Sequence, residues 1–123
     1  GGTLQKYPKE KAILQIIFDT APEKKEKLMK IIFGEIDNIT KTGPSEANLN
    51  KVKEYMLKKH TEDLKENSYW MGSIDEYLFT GMNPIKDYEQ TVNSITAKDI
   101  QKFADDLFKQ KNEVEVSMIS PDK

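Results

Sequence analysis

The sequence predicts an α+β domain, and three observations carry that prediction. A short apolar run of strand type lies near the start, four segments of helical periodicity follow it, and a strictly alternating run closes the chain. No repeat, linker or low-complexity stretch interrupts that order. Two strands make no stable sheet by themselves. The pattern therefore has helices enough to cover a sheet and too few strands to build one.

Residues 12–18 (AILQIIF) are apolar and partly β-branched. Strand alternation would send Leu14, Ile16 and Phe18 one way and Ile13, Gln15 and Ile17 the other, which suits a strand in a sheet interior. Thr20-Ala21-Pro22-Glu23 has helix-start chemistry, with proline tolerated in the first turn and an acid at the positive end of the dipole. Leu28, Ile32, Ile36 and Ile39 then recur at helical spacing, with Ile31 and Phe33 widening the stripe. Thr42-Gly43-Pro44 stops this helix and Ser45 caps the next.

The second helix carries Leu49, Val52, Met56, Leu57 and Leu64 on one side and Lys51, Lys53, Lys58 and Lys59 on the other. Asn67 or Ser68 restarts a helix through Tyr69, Trp70, Ile74, Tyr77 and Leu78, which Gly81, Asn83 and Pro84 break. Residues 87–93 read as a short turn. Thr96-Ala97-Lys98-Asp99 is a capping-box start with Asp in the usual Glu place, and Ile100, Phe103, Ala104, Leu107 and Phe108 form the last buried stripe. Residues 113–118 (EVEVSM) alternate as a strand with one wet face.

At 123 residues the chain is one domain long, 37% apolar and 33% charged, so it has the composition of a folded rather than a disordered protein. Net charge is −2 and every one of the 19 Lys+Arg residues is lysine. Residues 1–65 hold thirteen lysines against ten acids, and residues 66–123 six against eleven. Neither half is a phosphate-neutralising patch, which argues against nucleic acid. There is no cysteine, so disulfides and thiolate metal sites are excluded. No stretch reaches the roughly 20 apolar residues of a membrane span, and residues 1–8 have no apolar run of signal type.

His60 is the single histidine. Hydrolytic zinc sites and nucleophilic triads need further ligands or bases converging on one point, and only Asp63 and Met56 lie within a turn of it. A boundary histidine on an amphipathic helix is the reading it supports. Glu62/Asp63, Asp75/Glu76 and Asp105/Asp106 are adjacent pairs, which diverge by about 100° around a helix instead of converging. They read as solvated faces. Tyr69, Trp70, Tyr77 and Phe79 form an aromatic cluster that serves as core packing or, alternatively, as a ligand platform. The lysine face of the second helix, interleaved with Glu54, Glu62 and Asp63, reads as soluble surface.

Four signals in order give a further lead: Phe18-Asp19-Thr20-Ala21-Pro22-Glu23 after an apolar strand, Thr42-Gly43-Pro44-Ser45-Glu46 between two long helices, Asn67-Ser68-Tyr69-Trp70 opening a third, and Ile95-Thr96-Ala97-Lys98-Asp99-Ile100 starting the last. With a closing strand and Pro121, this series resembles the C-terminal part of a pitrilysin/insulinase-type zinc peptidase domain, from about Tyr7 to Pro121. The resemblance implies a mainly antiparallel sheet, only partly present here, covered on one face by about four helices. It also implies two halves closing around a peptide, with zinc held in the N-terminal half by the inverted motif His-x-x-Glu-His and a downstream Glu. The C-terminal half of such enzymes contributes an Arg and a Tyr near the substrate.

This chain has no His-x-x-Glu-His and no arginine, and Tyr7 lies too close to the first strand to take the tyrosine role. No catalytic or metal residue transfers to it. Asn67, Tyr69 and Trp70 transfer only as fold-signature and core positions. The expectation is a non-catalytic C-terminal fragment of a zinc metallopeptidase, walling part of the peptide chamber, with zinc bound outside this chain. Its partners would be the remaining domains and the parent's peptide substrate, with self-association of the isolated chain. The compartment leans only to a bacterial cell envelope. Two alternatives remain open: an inactive partner subunit of the same family, and an unrelated helical interaction module.

Overall fold

A computed structural model describes residues 1–5 and 8–118. The expectations for Tyr7 and Pro121 lie outside the described residues. The architecture is α+β. Strands β1 (Gly2–Gln5) and β2 (Lys11–Leu14) form a two-stranded antiparallel sheet, with Gly2 opposite Leu14 and Gln5 opposite Lys11. A 3-10 turn over Pro22–Lys24 leads into α1 (Lys25–Thr42), followed by α2 (Glu46–Asp63), α3 (Asn67–Thr80), α4 (Tyr88–Ser94) and α5 (Ala97–Phe108). The chain divides into two compact units, residues 1–42 with 102–123 and residues 43–101.

Helix boundaries follow local chemistry. α1 ends at Gly43, whose φ of +73 is the left-handed conformation that glycine adopts without strain. A Cβ there would also lie 2.9 Å from the Ala97 carbonyl oxygen, so this position needs glycine twice over. Ser45 accepts the Asn48 N–H at 3.3 Å, capping α2. α3 closes on left-handed Gly81, whose N–H donates to the Tyr77 carbonyl at 2.8 Å. At α5 the expected capping box is made: Asp99 Oδ2 accepts from the Thr96 N–H at 2.8 Å and from the Thr96 hydroxyl at 2.7 Å, while Thr96 Oγ1 accepts the Asp99 N–H at 3.3 Å.

The strands depart from expectation. The run over residues 12–18 is a strand only as far as Leu14, and it sits at an edge of the sheet, not in its interior, because β1 is its single partner among the described residues. β1 itself has no alternating pattern and was not expected. Residues 113–118 are not a strand: their alternation gives a capacity to pair, and among the described residues nothing pairs with them. The presumed turn over residues 87–93 is helix α4, anchored by Val92 at 2% exposure. Among the described residues five helices stand where about four were expected, with a sheet of two strands.

Buried apolar side chains among the described residues are few. Val92 lies in the second unit and Ala104 in the first, while His60 and Ser73, both in the second, are buried polar residues. In the first unit Leu14, Ile16, Ile17 and Ile31 are exposed, and α1 buries none of its residues. No helix among the described residues is long and apolar enough to cross a membrane.

Candidate functional site

The most organised side-chain cluster lies in residues 43–101 and centres on His60. The last turn of α2 carries His60, the first turn of α3 carries Tyr69, and Tyr88 opens α4. His60 is 5% exposed. Its Nδ1 lies 3.0 Å from the Tyr69 hydroxyl, and its ring stacks on Tyr88 with centroids 4.0 Å apart and planes 17° apart. Tyr69 meets the imidazole edge-on at 5.9 Å and 75°. Three helices thus share one ring, which combines aromatic contact with a hydrogen bond. Nearby, Trp70 Nε1 donates to the Leu64 carbonyl at 2.8 Å and fastens the turn between α2 and α3.

Electrostatics in the cluster follow from burial. The Tyr69 phenol is raised above its ordinary 10.0, first by burial and then by its proximity to Tyr88 and Asp63. The Lys59 ammonium is also raised, chiefly by its hydrogen bond to Asp63 one turn on. From the same lysine face, Lys53 donates to the Asn93 carbonyl of α4 at 2.8 Å. Of the four lysines on that face, Lys53 therefore links α2 to α4, while Lys59 pairs within α2 and stays half-exposed.

The chemistry available to this cluster is limited. Among the described residues no three His, Asp or Glu side chains converge as a metal-ligand set. Among the described residues the hydrogen-bond partner of His60 is the Tyr69 hydroxyl and not a carboxylate. The arrangement joins three helices through one ring.

Two hollows complete the candidates. In the first unit Leu14 and Ile16 face Ile32, Ile36 and Ile39 of α1, together with Phe108, across an open apolar groove of about 300 Å³. In the second unit Trp70, Ser73, Ile74 and Tyr77 of α3 border a smaller hollow of about 110 Å³ beside Asn83 and Ile85. The Asn83 carboxamide oxygen is already engaged by the Ile85 and Lys86 N–H groups at 3.0 and 3.1 Å.

The three signature residues separate. Tyr69 is half-buried against His60. Trp70 is 44% exposed, and Asn67 is an exposed first residue of α3 with Glu66 in the cap position. Of the aromatic platform, Trp70 and Tyr77 share the smaller hollow, Tyr69 turns to His60, and Phe79 is 69% exposed. Sequence reasoning missed Tyr88. The available signal was Tyr88 and Val92 one turn apart beyond the Asn83-Pro84 break, a short apolar step hidden in a presumed turn. Comparison with protein-family models, with curated proteins and with solved structures finds no match for this chain.

Proposed function

We propose that the chain is a non-catalytic segment of a pitrilysin/insulinase-type zinc peptidase domain and forms part of the wall of its peptide chamber. The observation that carries the reading is the coincidence of the four ordered sequence steps with element boundaries. Pro22 opens the turn before α1, Gly43 and Ser45 separate α1 from α2, Asn67 opens α3, and Thr96 caps α5. The open groove beside β2 adds support, because a fuller antiparallel sheet in such a domain would lay further strands beside β2 and cover Leu14 and Ile16. Zinc and the activated water belong, on this reading, to residues outside this chain, and the chain itself hydrolyses nothing.

The test is the coding sequence upstream of the Gly1 codon. A continuous frame carrying His-x-x-Glu-His and a downstream Glu is the expected result. A long frame of the same family without that motif would replace the reading with the inactive partner subunit. A start codon at or just before Gly1 would overturn both. Zinc-dependent, chelator-sensitive peptidase activity in the purified 123-residue chain would overturn the non-catalytic assignment directly.

A further inference from the structure

Among the described residues the chain holds a strand-patterned segment with no pairing partner and a two-stranded sheet with a free edge. In the β1–β2 pair, Gly1 and Gln15 exchange both backbone hydrogen bonds, at 2.7 and 2.8 Å. Antiparallel pairing alternates along the ladder. Ile13 and Lys11 therefore also bond toward β1, and the N–H and C=O groups of Ala12 and Leu14 point to the opposite, open edge. Residues 113–118 are the reverse case. No backbone hydrogen bond involves them among the described residues, and Val114, Val116 and Met118 are 87%, 80% and 97% exposed.

We propose that residues 113–118 of one copy add as a third strand to the free edge of β2 in a second copy, in a mutual exchange that makes a symmetric dimer. Both faces of the added strand match the edge. Leu14 and Ile16 lie on the groove side of β2 with the isoleucines of α1, and Val114, Val116 and Met118 would extend that apolar surface across the groove. On the other face, Glu113 and Glu115 would lie beside Lys11, with Lys9 just before it. Main-chain hydrogen bonds supply affinity in such strand addition, and the alternating side chains supply specificity.

A second copy is the occupant because the segment that matches the edge is engaged away from β2 within its own chain. Within one chain Glu115 is paired with Lys25 of α1 at 3.0 Å and not with a lysine of β2. That pair is half-exposed and holds weakly, so exchange gives up little. Mutual exchange also satisfies the isologous rule, in which each surface meets its complement across a two-fold axis. The inference concerns this chain by itself; in the peptidase domain proposed above, further strands would take the same edge of β2.

Sedimentation equilibrium of the 123-residue chain, from micromolar to millimolar concentration, is the test. The expected result is a concentration-dependent dimer in which the Ala12 and Leu14 amides gain exchange protection as it forms. Val116→Pro removes a ladder donor from a segment with no backbone hydrogen bond among the described residues, so helicity stays unchanged while the dissociation constant rises about tenfold or more. Two charge-reversed variants, Glu113→Lys/Glu115→Lys and Lys9→Glu/Lys11→Glu, should each stay monomeric alone and dimerise when mixed. A wild-type monomer throughout the range overturns the proposal. So does a Val116→Pro dimer of unchanged affinity, a mixture that stays monomeric, or protection of Ala12 and Leu14 in a monomer, which would mean that the edge closes within one chain.

Discussion

Residues 43–101 tie α2, α3 and α4 to a single buried imidazole, whereas residues 1–42 with 102–118 leave the stripe of α1 half-buried and the strand beside it exposed. Both regions are built from amphipathic pieces with well-made ends. They differ in how the pieces are joined. In the second unit specific polar and aromatic contacts connect helix to helix: His60 to Tyr69 and Tyr88, Lys53 to Asn93, and Trp70 to Leu64. In the first unit Leu14, Ile16, Ile17 and Ile31 are exposed, and an apolar groove beside α1 stays open. Apolar content alone therefore does not close a fold; complementary partners at fixed positions do.

The largest expected effect breaks the better-joined region at its centre. His60→Ala removes a buried ring, its stacking on Tyr88 and the partner of the Tyr69 hydroxyl. By analogy with buried aromatic truncations it should cost about 3 kcal/mol. Urea unfolding followed by helical circular dichroism measures this, and a loss under about 1 kcal/mol would show that the three helices do not depend on the ring.

Gly43→Ala comes next and probes the joint between α1 and α2. The new methyl meets the Ala97 carbonyl oxygen at 2.9 Å, and the backbone stays at a φ that L-residues rarely adopt. The expected cost is about 2 kcal/mol, read from the same unfolding curves. Gly81→Ala is the control, because its φ is +75 but nothing lies within 4 Å of the added carbon. The difference between the two variants isolates the contact, and equal costs would remove it from the account.

Trp70→Ala follows. A Trp70 ring in a core would cost about 3–5 kcal/mol on truncation. With the ring 44% exposed, the loss reduces to part of its burial and the bond to the Leu64 carbonyl, about 1.5 kcal/mol in all. A loss near the core value would return Trp70 to an interior and weaken the contrast between the two regions.

The sequence made helix ends legible because their signals are local. Gly43-Pro44-Ser45, Gly81 and the Thr96/Asp99 box each act within one turn of chain, and each falls where it was expected. Strands were less legible because pairing is not local. Residues 113–118 alternate cleanly and pair with nothing described, while Gly2–Gln5 shows no pattern and does pair. The His60 cluster was legible only in part. The spacing put His60 on a helix, but its partners come from α3 and from α4, a seven-residue helix shorter than periodicity can resolve. Trp70 shows the opposite error: its helical spacing suggested burial, yet Ile74, Tyr77 and Leu78 of the same helix are also exposed.

The smallest effect at neutral pH is the most specific to the cluster. Tyr69→Phe keeps the ring and removes the hydroxyl from His60 Nδ1, for about 1 kcal/mol. Its pH dependence identifies the cause. Burial and the neighbouring Tyr88 and Asp63 hold the folded phenol above its ordinary 10.0, so the neutral form is favoured in the folded state. The stability linked to this raised value is fully present below the unfolded pKa and is lost as pH rises through the folded one. The wild type should therefore lose its advantage over Tyr69→Phe as alkaline titration passes pH 10.0. Taking the difference between the two proteins at each pH cancels the titration of the lysines they share. A gap that stays constant through that range would mean that Tyr69 is no less solvated folded than unfolded, and the histidine cluster would then lose the burial that sets it apart from the open face of α1.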